Sequence, residues 1–316
     1  MAAGTRLPGT PAPMHFWPGF GGVRIAADAW GDQSGPLVLL QHGGGQTRHA
    51  WKGTGQLLGE AGYYAVAFDA RGHGDSDWAT DGLYSQDAMV RDLECVIAAI
   101  GKARPVLVGA SMGGGTSLVA AGEDHVDASA LIMVDIAPRV EREGVAKIHA
   151  FMSQKLDGFD SLEEVAEAIG TYQPQRVRPK NLDGLVKNVR LGADGKYRWH
   201  WDPLFRVGVR DLGRRQERLE DCARHLALPT LLVRGGLSDV LSEEGAQHFL
   251  GLCPHAEYVN VTNAGHMVAG DRNDIFGSSV IGFLARNVPV GGVPVHPSHA
   301  GAARRVEPGV DINDVP

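Results

Sequence analysis

The chain has 316 residues, 43% of them hydrophobic, enough apolar material for one large core or two moderate ones, and its net charge is −7. That charge excludes a general basic field for nucleic acid or an anionic membrane surface and leaves a small molecule as the expected partner. Three scattered cysteines, Cys95, Cys222 and Cys253, form neither a disulfide framework nor a Cys-x-x-Cys knuckle and fit a reducing cytoplasm, and no stretch has the length of a membrane span.

In chain order, residues 1–13 are rich in Pro, Gly and Ala and read as a flexible leader. Two short runs around Phe16 and Val23 to Ile25 flank a Gly-rich turn and predict a hairpin that opens a sheet. Pro36 to Gln41 is almost wholly apolar, as a strand buried on both faces must be, and it runs into His42-Gly43-Gly44-Gly45-Gln46. No phosphate-binding pattern completes there. The loop reads better as bare backbone whose N–H groups can face a developing oxyanion. Tyr63 to Phe68 predicts the next strand, ending in the polar turn Asp69 to Ser76, where His73 and Asp75 fit a hydrogen-bonded loop held by Arg71 and the aspartates better than a catalytic pair. Asp87 to Ile100 has helical apolar spacing and ends at Gly101.

Val106 to Gly115, VLVGASMGGG, then places Gly109-Ala110-Ser111-Met112-Gly113 between a strand and a helix-compatible segment. A turn this tight has almost no room for side chains two residues either side of the serine, which is left exposed at the positive end of the following helix. Ala130 to Ile136 is a further buried strand. From Arg139 to His225 the alternation of strand and helix breaks: three helical segments and a charged run, Arg214 to Arg224, predict a helical insertion with no convincing strand, carrying an aromatic cluster at Tyr197 to Pro203. The sheet resumes at Pro229 to Val233, which leads into Arg234-Gly235-Gly236-Leu237-Ser238-Asp239. Ala256 to Val261 is the last strand, followed by Asn263-Ala264-Gly265-His266 and a closing helix. The expected division is a core of residues 14–138 and 226–287, a helical cap at 139–225 and a flexible tail at 288–316.

Ser111, Asp239 and His266 each follow a predicted parallel strand, where open α/β sheets form their ligand crevice, and they occur in the order nucleophile, acid, base. With HGGGQTRHAW (His42 to Trp51), DARGHGDSD (Asp69 to Asp77), GASMGG (Gly109 to Gly114), RGGLSD (Arg234 to Asp239) and NAGHM (Asn263 to Met267), the chain resembles the α/β-hydrolase superfamily. Within it the chain is similar to cofactor-free haloperoxidases, epoxide-hydrolase-like proteins and small esterases. The resemblance implies an α/β-hydrolase fold: a mostly parallel sheet of about eight strands flanked by helices, with the cap inserted after the sixth strand. It implies Ser111 as nucleophile, His266 as general base and Asp239 as the carboxylate orienting the imidazole, with the N–H groups of Gly44 and Met112 as the oxyanion hole. Asp135, which also ends a strand, is the alternative acid; the glycines before Asp239 favour the latter.

A serine at the elbow excludes the alkyl-enzyme chemistry that needs aspartate there and implies an acyl-enzyme formed from an ester, lactone or thioester, with no cofactor and no metal. Perhydrolysis with peroxide, carbon–carbon hydrolysis of the meta-cleavage type and a non-catalytic ligand receptor of the same fold stay open, as does assembly into a homo-oligomer. Trp51, Trp199 and Trp201 are candidates for the substrate pocket. The two cap tryptophans alternate around His200, so in an extended strand both indoles face one side, either lining the pocket or anchoring the cap.

Overall fold

A computed structural model describes residues 4–172, 182–205, 212–266 and 273–291. The chain begins with β1 (Thr5–Arg6), β2 (His15–Pro18), β3 (Arg24–Trp30), β4 (Leu37–Gln41), α1 (Lys52–Glu60), β5 (Tyr64–Phe68) and α2 (Gln86–Ile100). It continues through β6 (Val106–Ala110), α3 (Met112–Gly122) and β7 (Ala130–Val134) into the cap, which holds α4 (Arg142–Met152), α5 (Leu162–Tyr172), β8 (Val189–Leu191), β9 (Tyr197–Trp199) and α6 (Leu212–His225). The core resumes with β10 (Thr230–Gly235), α7 (Glu243–Leu252), β11 (Glu257–Val261) and α8 (Asn273–Asn287).

Eight strands form one sheet in the order β2-β3-β5-β4-β6-β7-β10-β11, parallel except that β3 runs against both its neighbours. The apolar runs of the sequence follow from its two-sided burial. Leu37, Leu39, Leu107, Leu131 and Met133 face Val90, Leu93 and Val96 of α2 and Leu118 of α3. The alternate residues Val38, Leu40, Val106, Val108, Ile132 and Val134 face Leu58 of α1 and Phe276, Val280 and Phe283 of α8. Strand β4 lies between β5 and β6, so the chain leaves it first to one side and later to the other. That reversal lies at the carboxyl ends of β4 and β6, the edge on which open α/β sheets bind ligands.

Two expectations need correction. The cap is not purely helical: β8 and β9 form an antiparallel hairpin in which Val189 opposes Trp199 and Leu191 opposes Tyr197, turning through Asp194 and Gly195. An Asp-Gly pair between short apolar-alternating runs is a hairpin signal, but three-residue strands give too little periodicity to reveal it. Nor is the leader free. Thr5–Arg6 adds β1 to the cap hairpin, Leu7 is buried, and the Pro11 carbonyl accepts a bond of 3.2 Å from Arg48. Of the expected tail, residues 292–316 lie outside the described residues.

A buried ionic framework holds the turn after β5. Arg48, fully buried, bonds Asp28 at 3.0 Å, Asp69 at 2.6 Å and Asp75 at 2.9 Å, while Arg190 of the cap bonds Asp75 at 3.0 Å. Arg71 closes the same turn from below with a bidentate pair to Asp92 at 2.6 and 2.8 Å. Burial alone pushes the Asp69 carboxyl up, but the Arg48 charge and two amide donors outweigh it, so its pKa lies below the ordinary carboxylate value. Its contribution to stability is therefore complete above the unfolded pKa and is lost as the pH falls through the depressed folded value.

Removing the cation strands the carboxylates in a dry interior. Arg48→Met is expected to cost about 3–5 kcal/mol at neutral pH in urea unfolding, with the deficit relative to wild type shrinking as the pH falls and the stranded carboxylates of the folded variant protonate before those held by Arg48 in wild type do. A loss under about 1 kcal/mol would mean that water, not Arg48, compensates these charges.

Candidate active site

Ser111 joins β6 to α3 with φ 48° and ψ −108°, a conformation that costs a residue bearing a side chain about 1–3 kcal/mol. The turn survives because its neighbours have no room to relax. A Cβ on Gly109 would come within 2.3 Å of the Gly113 backbone, and one on Gly113 within 2.4 Å of the Gln41 carbonyl oxygen. The Ser111 amide donates to the Val134 carbonyl at 3.1 Å, which ties the elbow to the end of the next strand. Its position at the N-terminus of α3 directs backbone N–H groups and the positive end of the helix dipole at whatever approaches the serine.

One residue beyond Val134 is Asp135, also at a positive φ of 51° and with no exposed surface. Its carboxylate accepts three hydrogen bonds: from the Gly235 amide at 2.8 Å, from the Ser238 hydroxyl, and from His266 Nδ1 at 2.6 Å. With Nδ1 protonated and engaged, the remaining nitrogen of the imidazole, Nε2, is the one left to accept a proton.

The acid beside His266 is thus Asp135 and not Asp239. The Asp239 side chain is 52% exposed and pairs with Lys147 at 3.0 Å. The glycines before Asp239 do give the turn its freedom, but the turn spends it on Ser238, whose hydroxyl reaches Asp135, and Asp239 faces the start of α4. A readable signal was present: an acid enclosed by the apolar run Ala130 to Ala137 must be buried, and a buried carboxylate needs partners.

The loop after β4 lies against the serine, since a Cβ on Gly43 would sit 3.3 Å from Ser111 Cβ. The Gly43 amide donates to Gln46 Oε1 at 2.8 Å and the Gly45 amide to His73 Nε2 at 3.2 Å. The amides of Gly44 and Met112 have no partner among the described residues. These are the two N–H groups that the resemblance implies as oxyanion donors.

The three tryptophans part company. Trp51 is buried on the far face of the sheet, 5.9 Å from Phe276 of α8, and belongs to the core. Trp199 and Trp201 face one side of the hairpin as the alternation requires, stacked at 4.9 Å and 10°, but both are buried among Phe151 and Phe159. Trp201 Nε1 donates to the Met152 carbonyl at 3.3 Å. The edge of Trp201 and the thioether of Met152 reach the glycine loop, about 3.5 Å from where a Cβ of Gly45 would stand. Among the described residues no cluster of His, Cys, Asp and Glu could hold a metal ion, and no helix is long and apolar enough to cross a membrane.

A profile of the alpha/beta hydrolase fold matches residues 36–272. The chain is similar to the esterase Rv0045c of Mycobacterium tuberculosis, 29% identical over 259 residues, which cover 78% of this chain and 82% of that protein. It is equally similar to the sn-1-specific diacylglycerol lipase ABHD11 of Mus musculus, 29% identical over 267 residues, 81% of this chain and 83% of the lipase. Among solved structures, that of E-2-(acetamidomethylene)succinate hydrolase superposes with a TM-score of 0.74 over 85% of this chain and 99% of its own, at 22% identity, a likeness of fold.

The geometry ranks the two carboxylates. Asp135→Asn, which leaves the size of the side chain and removes the charge facing His266, is expected to lower kcat by about 10³–10⁴, whereas Asp239→Asn stays near wild type. Steady-state kinetics of both variants on one activated ester decide the matter, and the reverse ranking would reinstate Asp239.

Proposed function

Since this chain belongs to the α/β hydrolase fold family, we propose that it is a serine hydrolase that cleaves a small-molecule carboxylic ester through an acyl-enzyme on Ser111. The observation that carries this reading is the Asp135–His266 contact of 2.6 Å beside a serine held at φ 48°. A serine hydroxyl becomes nucleophilic only when a base takes its proton. His266 Nε2 accepts that proton while Asp135 holds Nδ1–H and stabilises the imidazolium that results. The Ser111 oxygen bonds to the substrate carbonyl carbon, and the oxyanion is received by the amides of Gly44 and Met112, each such donor being worth about 2.7–4 kcal/mol of barrier. Collapse expels the alcohol, which takes the proton from His266. Water, activated by the same imidazole, then releases the acid and restores Ser111.

The relatives named as an esterase and as a lipase support an ester over other acyl compounds. The Met152 thioether and the Trp201 edge beside the glycine loop support an apolar group next to the scissile carbonyl.

The purified chain is expected to turn over p-nitrophenyl esters without added cofactor and to form a covalent adduct with a fluorophosphonate at Ser111, located by peptide mass spectrometry; Ser111→Ala does neither while keeping its melting temperature. Residual turnover in that variant comparable to wild type would rule out the acyl-enzyme. Trimming the wall with Met152→Ala is expected to shift the chain-length profile toward bulkier acyl groups, and an unchanged profile would remove Met152 from the pocket.

A further inference from the structure

Three imidazoles surround the glycine loop, and none of them is the proposed base. His42, His73 and His200 come from the loop after β4, the turn after β5 and the cap, and each is 1% exposed or less. Their rings form a chain, with centroids 5.3 Å apart from His42 to His73 and 5.8 Å from His73 to His200.

Each ring grips a different peptide group of the loop. His42 Nδ1–H donates to the Gly43 carbonyl at 2.8 Å, while its Nε2 accepts from the Ala70 amide at 2.9 Å. His73 Nε2 accepts from the Gly45 amide at 3.2 Å, and its Nδ1 lies 3.2 Å from the Arg71 carbonyl, to which it donates. His200 Nδ1 accepts from the Gly74 amide at 2.8 Å, which leaves the proton on Nε2, 3.3 Å from the Gly45 carbonyl. In all three, one nitrogen must be bare to accept and the other protonated to donate, so the neutral form is the only one that satisfies both contacts. Burial lowers the basicity of each ring, that of His73 to about 3, in keeping with neutral rings.

Peptide planarity turns these bonds into a direction. The Gly44 N–H belongs to the same plane as the Gly43 carbonyl, so the His42 bond sets where it points. The next plane holds the Gly45 N–H, fixed by His73. The third holds the Gly45 carbonyl, fixed by His200, together with the Gln46 N–H, which returns to the Gly43 carbonyl at 3.1 Å. Rotation of this third plane withdraws the Gln46 support from the first.

We propose that His200 is a positioning residue for the oxyanion hole: through the Gly45 carbonyl the cap aims the Gly44 N–H. The cap is anchored well enough to do this. Arg190 pairs with Asp75 at 3.0 Å, the Asp202 amide donates to the Gly72 carbonyl at 2.8 Å, and the Asp202 carboxylate accepts from Tyr84. The hairpin is thus tied to the same turn that presents His73. The assignment rests on Gly44 as an oxyanion donor in the serine hydrolase read above.

Two substitutions separate aiming from packing. His200→Asn keeps an acceptor for the Gly74 amide but is too short to reach the Gly45 carbonyl, whereas His200→Gln is long enough to reach it with its amide nitrogen. Both are measured in the full-length chain for kcat and KM on one p-nitrophenyl ester, for inhibition by a phenylboronic acid, which forms a tetrahedral adduct with the serine, and for melting temperature. Asn is expected to lower kcat by about 10- to 100-fold, below the loss typical of removing an oxyanion donor outright, with KM nearly unchanged and boronate affinity weakened by the same factor. Gln is expected to recover most of both. Equal kcat in the two variants, or a kcat loss matched by a fall in melting temperature with boronate affinity intact, would overturn the assignment. A wild-type chain that neither turns over the ester nor binds boronate would instead fail the serine-hydrolase reading, and the positioning role with it.

Discussion

The site depends on a turn that the backbone resists. Ser111 is held at φ 48° and ψ −108°, which a residue with a side chain adopts only under compulsion. The compulsion is packing: α3 is buried along nearly its whole length, and Gly113 presses on the Gln41 carbonyl. Gln41 Nε2 in turn donates to Ser117 at 2.6 Å, and Ser117 to the Gly113 carbonyl at 2.9 Å, so the helix is pinned to the strand beside β6. The elbow cannot relax without parting α3 from β4, which would expose apolar surface on both.

Strand order then decides which groups meet the serine. β7 is hydrogen-bonded to β6 with Val134 opposite Ala110, so the residues that follow, Asp135 and Ser111, leave adjacent strand ends. β10 lies on the other side of β7, and its terminal turn supplies the Gly235 amide and the Ser238 hydroxyl to the Asp135 carboxylate. A carboxylate with no exposed surface keeps its charge only with such donors, and His266 Nδ1–H completes the set. The preference for Asp135 over Asp239 is therefore one of contact and burial: the Asp135 carboxylate is enclosed and bonded to His266, whereas the Asp239 side chain is half exposed and paired with Lys147.

On the opposite flank the glycine loop is supported by polar groups in a dry setting. Arg48 gathers Asp28, Asp69 and Asp75 beneath the turn after β5, and Arg190 brings the cap to the same aspartate. Above this framework sit the three neutral imidazoles. The combination is consistent: ionic pairs hold the turn, the turn presents His73 and the Gly74 amide, and the rings hold the loop with no net charge of their own beside the site where negative charge would develop. A protonated imidazole there would place N–H against N–H and break the loop it supports.

What the sequence by itself determined is local or periodic. Apolar runs such as Leu37 to Leu40 and Ala130 to Val134 disclosed strands buried on both faces, the break after Ile136 disclosed an insertion between β7 and β10, and Gly109 and Gly113 around Ser111 disclosed the elbow, because each depends on neighbours within a few residues. The eight-stranded, mostly parallel sheet was implied by the resemblance that the motifs carry, and the family match agrees with it. Only the tertiary structure decided which of two strand-terminal aspartates meets His266, that Trp51 belongs to the core, that the leader pairs with a hairpin in the cap, and that His200 reaches the glycine loop from 155 residues away. These are contacts between segments distant in the chain, set by strand order and by how far each turn rotates a side chain. No period or spacing encodes a rotation of that kind; it emerges when buried charges and buried amides must each find a partner in the packed molecule.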